Sequence, residues 1–223
     1  MNRNRLPEIV ERRKMKSPTV TPQALAWDGK HFWLSSRDLG TLYKIDNQTW
    51  KIVDEIDPPG VVWAGVSLGN GEMRFNIGKG LNDDRYIYRY TPKEGFTRLF
   101  ACPDFTGSYL GFDGEHLHMS QWYEKHILKF DEKGNVFGKI DIGEEICGFT
   151  FVDGAILVIR GVENKNVPNK SEEWKIARVN GSGVEDIATV PFASRSLAFD
   201  GENFWSNHRA ANETISFALP SAA

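Results

Sequence analysis

Five copies of one turn dipeptide divide this 223-residue chain into repeats of similar length. Asp-Gly or Asn-Gly begins at positions 28, 70, 113, 153 and 200, in steps of 42, 43, 40 and 47 residues. Between hydrophobic runs this dipeptide is a strong signal for a β-hairpin, because both central residues of a type I′ turn need positive φ. The spacing therefore predicts five repeated units, each with one tight hairpin.

The runs around each turn have the character of propeller strands. The run before the turn is short, apolar and poor in charge, as at residues 24–27 and 196–199. Inner strands that converge on one axis require this, because large side chains cannot all fit there. The run after the turn is aromatic, as at residues 32–34, and a third run alternates apolar and polar residues, as at 42–45. We therefore predict an all-β, five-bladed β-propeller with four-stranded antiparallel blades.

The fourth, outer strand follows in four repeats, as at residues 51–56, but the fifth repeat ends at Ala223 without one. Residues 8–13 repeat the outer-strand pattern, so we expect this N-terminal strand to pair with residues 214–217 and complete blade five. Closure of this kind removes open sheet edges. The single domain of residues 1–223 then has blades at about 21–58, 62–103, 107–143, 146–192, and 194–220 with 6–17. An eight-stranded barrel is the alternative, but it does not explain five evenly spaced turns.

Composition and charge argue against several classes of partner. A formal net charge of −3 gives no basic field to neutralise phosphates, so nucleic acid is not expected. No segment is long and apolar enough to span a membrane, and the basic residues at 3–16 are not followed by the apolar region of a secretory signal. Two cysteines without metal-site spacing fit a reducing cytosol. We expect a cytoplasmic monomer whose partner is a small molecule or a peptide.

The upper face, opposite the Asp-Gly turns, is the predicted location of the site. Its connections vary in length, and function concentrates where loops vary on a constant scaffold. At equivalent upper positions of the second strands, four of five blades carry a polar residue: Ser36, Gln121, Arg160 and His208. Neighbouring upper segments add Trp63, Asn76, Tyr109, Trp122, Arg195 and Asn207. These residues either form a ring that binds one small ligand or merely bond loop backbone and water, and both interpretations remain open.

Other candidate motifs favour structural roles. His116 and His118 are two residues apart, as two metal ligands on a strand would be, but they repeat positions that are structural in blade one. Cys147 near the channel would be a nucleophile if Arg160 or His208 lowered its pKa, although a buried, inert cysteine is more common. No metal site or cofactor is predicted, while a divalent cation in the channel remains compatible with the sequence.

One repeated set of residues points to a known group of proteins. Its members are Pro22, Leu25, Ala26, Asp28, Gly29 and Trp33, echoed by Leu197, Ala198, Asp200, Gly201 and Trp205. This repeat resembles the propeller repeats of the streptogramin (virginiamycin B) lyase and glutaminyl cyclase superfamily over nearly the whole chain. The plant-type glutaminyl cyclases are five-bladed and similar in size. The resemblance therefore implies a propeller enzyme of cyclase or lyase type that processes a small molecule or peptide.

Two functions remain open on this basis. In an enzyme, Glu145 or Glu163 would move a proton, Arg160 and His208 would polarise a carbonyl, and Trp63 would pack on the substrate. The 13-residue connection at 161–173 would then fold over the site as a lid. The alternative is a non-catalytic module whose upper face binds a ligand or protein. A compact, water-shielded channel mouth would favour the enzyme, and a broad, flat, aromatic face would favour the module.

Overall fold

The computed structural model describes residues 5–79, 84–163, 172–181 and 183–220. Blade one contains β2 (Pro22–Trp27), β3 (His31–Ser36), β4 (Leu42–Asp46) and β5 (Ile52–Ile56). Blade two contains β6 (Val61–Ser67), β7 (Met73–Gly78), β8 (Tyr86–Thr91) and β9 (Gly95–Ala101). Blade three contains β10 (Leu110–Phe112), β11 (Leu117–Gln121), β12 (His126–Phe130) and β13 (Val136–Asp141). Blade four contains β14 (Glu145–Val152), β15 (Ala155–Val162), β16 (Glu173–Asn180) and β17 (Gly183–Val190). Blade five contains β18 (Ser194–Phe199), β19 (Phe204–His208), β20 (Glu213–Ala218) and the N-terminal β1 (Val10–Lys16).

The five sheets confirm the predicted five-bladed propeller of four-stranded antiparallel blades. The predicted closure is also confirmed, since β1 pairs antiparallel with β20, although the strand begins two residues later than the sequence pattern suggested. The segment before β1 reaches blade four as well. Thr189 donates its backbone N–H to the Pro7 carbonyl at 2.8 Å and accepts that of Ile9 at 3.1 Å. The N-terminal segment therefore joins the last two blades. No helix in the described ranges has the length and apolar character needed to cross a membrane.

All five predicted hairpins are present, and the glycine of each turn dipeptide has a positive φ between 77° and 100°. The expected type I′ conformation holds only in blade four, where Asp153 also has a positive φ of 50°. Elsewhere the side chain of the first residue holds the turn. Oδ1 of Asp28, for example, accepts the backbone N–H groups of Lys30 and His31 at 2.9 and 2.6 Å. Such local side-chain bonds satisfy turn N–H groups without left-handed backbone at the aspartate.

The second carboxylate oxygen links the turn to the strand that follows it. Oδ2 of Asp28 accepts the indole N–H of Trp33 at 2.8 Å, and Oδ2 of Asp200 accepts that of Trp205 at 2.7 Å. Both tryptophans are at least 97% buried, with 3% and 2% of their surface exposed. Asp28 and Asp200 therefore fasten the lower ends of blades one and five to the core between blades.

Apolar side chains fill the space between blades. The described residues contain five buried hydrophobic clusters, one at each boundary between neighbouring blades. At the boundary of blades five and one, Trp50 stacks on Trp205 with ring centroids 5.4 Å apart, and Phe32 packs against the same ring at 4.7 Å. This burial stabilises the ring of blades and leaves the upper loops free to form a site.

Candidate functional site

The inner strands of four blades depart from regular pairing near the upper face. In β6, Val62 pairs with Ile77 and Ala64 with Asn76, so Trp63 has no opposite residue. Register shifts interrupt β2, β14 and β18 as well. A bulge of this kind re-aims a side chain, and bulges are common at rims and beside binding sites. Here it brings Trp63 onto the wall of a cavity at the channel mouth.

Polar residues on the second strands satisfy the backbone groups that these bulges leave unpaired. The Ser35 hydroxyl accepts the N–H of Ala24 at 2.9 Å and donates to the carbonyl of Val62 at 2.7 Å. In blade three, where the inner strand has no register shift, the Ser120 hydroxyl accepts the N–H of Tyr109 at 3.0 Å. The serines that precede the predicted residues Ser36 and Gln121 are therefore structural, since buried backbone groups need partners.

The cavity has a volume of about 490 Å³ and opens at the upper mouth of the channel. Six of the twelve predicted site residues line it, namely Trp63, Tyr109, Gln121, Trp122, Glu163 and Arg195. They come from blades two, three, four and five and the adjoining loops. The propeller thus brings together side chains that are far apart in sequence. A volume of this size accommodates a small molecule or a short peptide segment.

Arg195 is the buried charge beside this cavity, with 4% of its surface exposed. Its guanidinium donates to Glu163 at 3.2 Å and to both carboxylate oxygens of Glu172 at 3.2 and 3.3 Å. It also lies 5.3 Å from the centroid of Trp122. Burial alone would lower the pKa of Arg195, but the nearby Cys147, Tyr109 and Glu172 outweigh it and hold the pKa above its ordinary value. The arginine is therefore charged and fixes Glu163 in place.

Glu145, which was predicted as a catalytic alternative to Glu163, has a different position. It is outside the described cavity lining, and its Oε2 accepts the backbone N–H of Glu163 at 2.7 Å. Glu163 is thus held by Arg195 through its side chain and by Glu145 through its backbone. Glu145 therefore holds the backbone of a residue that lines the cavity.

Arg160 and His208, the predicted carbonyl-polarising pair, lie outside the described lining of the cavity. Arg160 points outward along blade four, where its Nε donates to Asp186 at 2.8 Å. His208 lies 3.8 Å from Glu213 and 5.6 Å, between ring centroids, from Phe192. Burial lowers the pKa of His208 from its ordinary value. Neither residue enters the function proposed below.

Ser36, Asn76 and Asn207 form internal hydrogen bonds instead of lining the cavity. The Ser36 hydroxyl donates to the carbonyl of Val20 at 2.8 Å. The Asn76 amide oxygen lies 3.7 Å from the Sγ of Cys102. The Asn207 amide donates to a backbone carbonyl of blade one at 3.2 Å. These residues hold the upper ends of the strands in register.

The prediction missed ten cavity residues, which include three arginines and two acidic residues: Gln23, Arg37, Arg85, Asp104, Thr106, Gly107, Ser108, Tyr123, Glu124 and Arg209. Arg37 and Arg209 each follow immediately after a predicted ring position, at Ser36 and His208. Successive strand residues face opposite sides, so an alignment shifted by one residue selects the wrong side chain. A polar residue one position beyond the end of the second strand is the sequence signal that would have identified Arg37 and Arg209.

The remaining motifs have structural surroundings. Cys147 is fully buried, and burial raises the pKa of its thiol well above the ordinary value although Arg195 lies 3.6 Å away. This favours the inert cysteine over the nucleophile. His118 is buried against Phe151 with ring centroids 4.8 Å apart. In the parts of the chain that the structure describes, no group of three or more His, Cys, Asp or Glu side chains is arranged to hold a metal ion.

Most of the predicted lid, including Asn164, Lys165, Asn166, Pro168 and Asn169, lies outside the described residues. The ends of the connection are described, and two of its glutamates, Glu163 and Glu172, form ion pairs with Arg195.

Comparison with solved structures supports the fold and its resemblance to propeller enzymes. Glutaminyl cyclase from Myxococcus xanthus is similar with a TM-score of 0.70 at 12% identity, over 97% of this chain and 100% of that chain. PQQ-bound aldose sugar dehydrogenase from Streptomyces coelicolor has a TM-score of 0.61 at 13% identity, over 96% and 99%. Virginiamycin B lyase from Staphylococcus aureus has a TM-score of 0.53 at 15% identity, over 93% and 99%.

The sequence itself matches no family model and no curated protein. At 12–15% identity the structural likeness concerns the fold alone. The predicted resemblance to glutaminyl cyclase and virginiamycin B lyase is therefore confirmed as a likeness of β-propeller architecture, and the chemistry of this chain has to be argued from its own residues.

Proposed function

We propose that this protein is a small-molecule or peptide-processing enzyme of cyclase or lyase type that acts in the upper cavity. The observation that carries the proposal is the carboxylate of Glu163, which faces the cavity and is held by Arg195 at 3.2 Å. Catalytic carboxylates need fixed positions, because a general base must lie within hydrogen-bonding reach of the proton that it takes. The proposed partner is accordingly a small molecule or a short peptide.

Cyclisation of an amino-terminal glutaminyl group illustrates the chemistry that such a site offers. The α-amine attacks the side-chain amide carbon, a new C–N bond forms, the old C–N bond breaks and ammonia leaves. Glu163 would take a proton from the attacking amine and return it to the leaving nitrogen. One residue in both roles suffices, because the proton is taken and given within the same cavity.

Gln121 is the candidate for polarising the carbonyl. Its amide oxygen accepts the Nε2–H of the buried His126 at 2.7 Å, which fixes the orientation of the amide group. Its Nε2 lies 3.4 Å from the Thr106 hydroxyl and 3.4 Å from a backbone carbonyl. Both are long hydrogen bonds, which a substrate oxygen could replace. A preoriented N–H donor of this kind stabilises negative charge that develops on a carbonyl oxygen.

Trp63 is proposed to pack on the substrate from another side. One face of its ring is covered by the guanidinium of Arg85, whose carbon lies 4.1 Å from the ring centroid. The ring also lines the cavity. An aromatic surface fixed in this way binds apolar parts of a ligand with little loss of side-chain freedom.

A non-catalytic binding module is the second candidate. Phe105 and Tyr123 on the upper loops expose 49% and 76% of their surface near the cavity. Exposed aromatic residues beside a cavity are typical of surfaces that bind a peptide or protein. Binding without turnover by the wild-type protein would support this alternative.

The test is release of ammonia from a glutaminyl dipeptide, with ring opening of a cyclic ester peptide as the assay for the lyase reaction. Replacing Glu163 by glutamine should lower kcat by roughly 10²–10⁴-fold, the usual contribution of general acid–base catalysis. Glu173→Gln is the matched control, because Glu173 is an exposed residue at the start of β16. Absence of both activities in the wild type, or full activity in Glu163→Gln, would show that the proposal is wrong.

A further inference from the structure

The upper cavity contains a second cationic group whose surroundings differ from those of Arg195. Arg209 lines the cavity from the short turn between β19 and β20, and its NH1 donates to the amide oxygen of Gln23 at 2.6 Å. In the described part of the chain, no carboxylate forms an ion pair with Arg209. A neutral amide therefore orients this guanidinium, and Glu163 acts on it only electrostatically, without a direct ion pair.

The turn that carries Arg209 is fixed at its C-terminal end. Asn212 closes it in the left-handed conformation with a φ of 53°. The Asn212 side-chain oxygen accepts the N–H of Thr21 at 2.7 Å, and its backbone carbonyl accepts the N–H of Ser17 at 2.8 Å. These bonds join the turn to the segment that enters blade one. Arg209 is therefore presented by a constrained turn, which lowers the entropy cost of binding a ligand.

The electrostatic surroundings of Arg209 favour an anion. Burial and the nearby Arg195 lower the pKa of Arg209, Arg37 acts in the same direction, and the opposing effects of Tyr109 and Glu163 do not outweigh them. Arg195 already has Glu163 and Glu172 as partners. The Nε of Arg37 pairs with the exposed Asp38 at 3.1 Å, so its other N–H groups are the ones that would face a ligand. An anionic oxygen group placed against Arg209 and these groups of Arg37 would relieve the repulsion and form charge-assisted hydrogen bonds.

We infer that Arg209, assisted by Arg37, binds an anionic oxygen group of the ligand, a carboxylate or a phosphate. The amide oxygen of Gln23 orients the Arg209 guanidinium. This inference rests on the proposed function for its substrate class. It narrows that class to a short peptide or amino acid derivative with a free acidic group. The reacting amide then lies toward Glu163, and the acidic group lies toward Arg209.

The first experiment measures binding and needs no turnover. Succinate, inorganic phosphate and the neutral succinamide are titrated into the full-length protein at constant ionic strength, with the melting temperature as readout. One of the two anions should raise the melting temperature saturably, and which one does so identifies the acidic group. Succinamide should have no comparable effect. Equal responses to all three probes would overturn the inference.

Substitutions locate the binding group. Arg209→Gln should weaken anion binding at least about tenfold, as expected when a charge-assisted pair is lost. Arg37→Gln should weaken it less, and it serves as the second test if Arg209→Gln fails to fold. Arg178→Gln, an exposed arginine on β16, is the matched control and should bind as the wild type does. Unchanged affinity in both Arg209→Gln and Arg37→Gln would refute the site.

The second experiment separates this inference from the proposed function. Glutaminylglycine should have a KM about tenfold lower than its carboxamide, and Arg209→Gln should remove the difference. Turnover of both substrates with equal KM would overturn the anion site and leave the proposed function standing. Anion binding that depends on Arg209, without any turnover, would leave the site standing and overturn the proposed function.

Discussion

Replacing Asp28 by asparagine isolates one bond of the turn that repeats through this propeller. The new side chain keeps the oxygen that accepts the N–H groups of Lys30 and His31, so the turn itself can persist. Its amide nitrogen, however, replaces the oxygen that accepts the indole N–H of Trp33 at 2.8 Å. The asparagine NH2 group and the indole N–H would then be two donors facing each other, in a site where 3% of the tryptophan surface is exposed.

The expected cost follows from these contacts. A hydrogen bond to a charged acceptor contributes about 1.5–3 kcal/mol, and a buried donor left without an acceptor costs a similar amount. The partly exposed ion pair between Lys44 and Asp28, at 3.7 Å, adds about 0–1 kcal/mol. We expect Asp28→Asn to lower the free energy of unfolding by about 2–3 kcal/mol. For a chain of this size the melting temperature should then fall by roughly 4–12 °C.

The assay is urea unfolding followed by tryptophan fluorescence and circular dichroism, combined in a double-mutant cycle with Trp33→Phe. The pair should show a coupling free energy of about 1–2 kcal/mol, because the double variant leaves no unsatisfied indole N–H. Blade two provides the natural precedent, since Asn70 there precedes Phe75 by the same five residues. Asn70→Asp is therefore the control and should not stabilise the protein. A coupling below about 0.3–0.5 kcal/mol would refute the role of this bond.

Two further predictions concern closure and pH. Removing residues 1–16 deletes β1 and exposes β20 as an open edge, so we expect aggregation or a large fall in melting temperature, and unchanged melting would contradict the closure model. Burial would raise the pKa of Asp113, but hydrogen bonds from the His116 and Glu115 N–H groups and from Lys129 outweigh it and lower the pKa from 3.8 to about 2. Because the folded pKa lies below the unfolded one, this stabilisation is fully present above about pH 5 and is lost as the pH falls toward 2. Asp113→Asn should show a shallower loss of stability over that range, and an unchanged slope would be the contrary result.

Only part of the candidate site could be predicted from the sequence. Trp63, Tyr109 and Arg195 were predicted on the upper face because they lie in upper segments where the inner strands begin, and all three line the cavity. Arg160 was predicted beside them but points along its own blade to Asp186. A side chain on the second strand can point toward a neighbouring blade or along its own blade toward the outer strands. No local sequence pattern distinguishes these two directions. Residues where the inner strands begin therefore predicted the cavity lining better than residues on the second strands did.

The number and closure of the blades depended on local chemistry that the sequence displays directly. An Asp-Gly or Asn-Gly pair makes a turn wherever it joins two apolar runs, so five such pairs predict five hairpins before any tertiary contact is known. The direction of individual side chains at the upper face depended on the tertiary structure. Bulges in the inner strands turn Trp63 to the axis, and Arg209 reaches the cavity from a turn that is held in place by blade one. These side-chain positions arise from pairing between segments that are distant in sequence. The periodicity within one repeat therefore does not predict them.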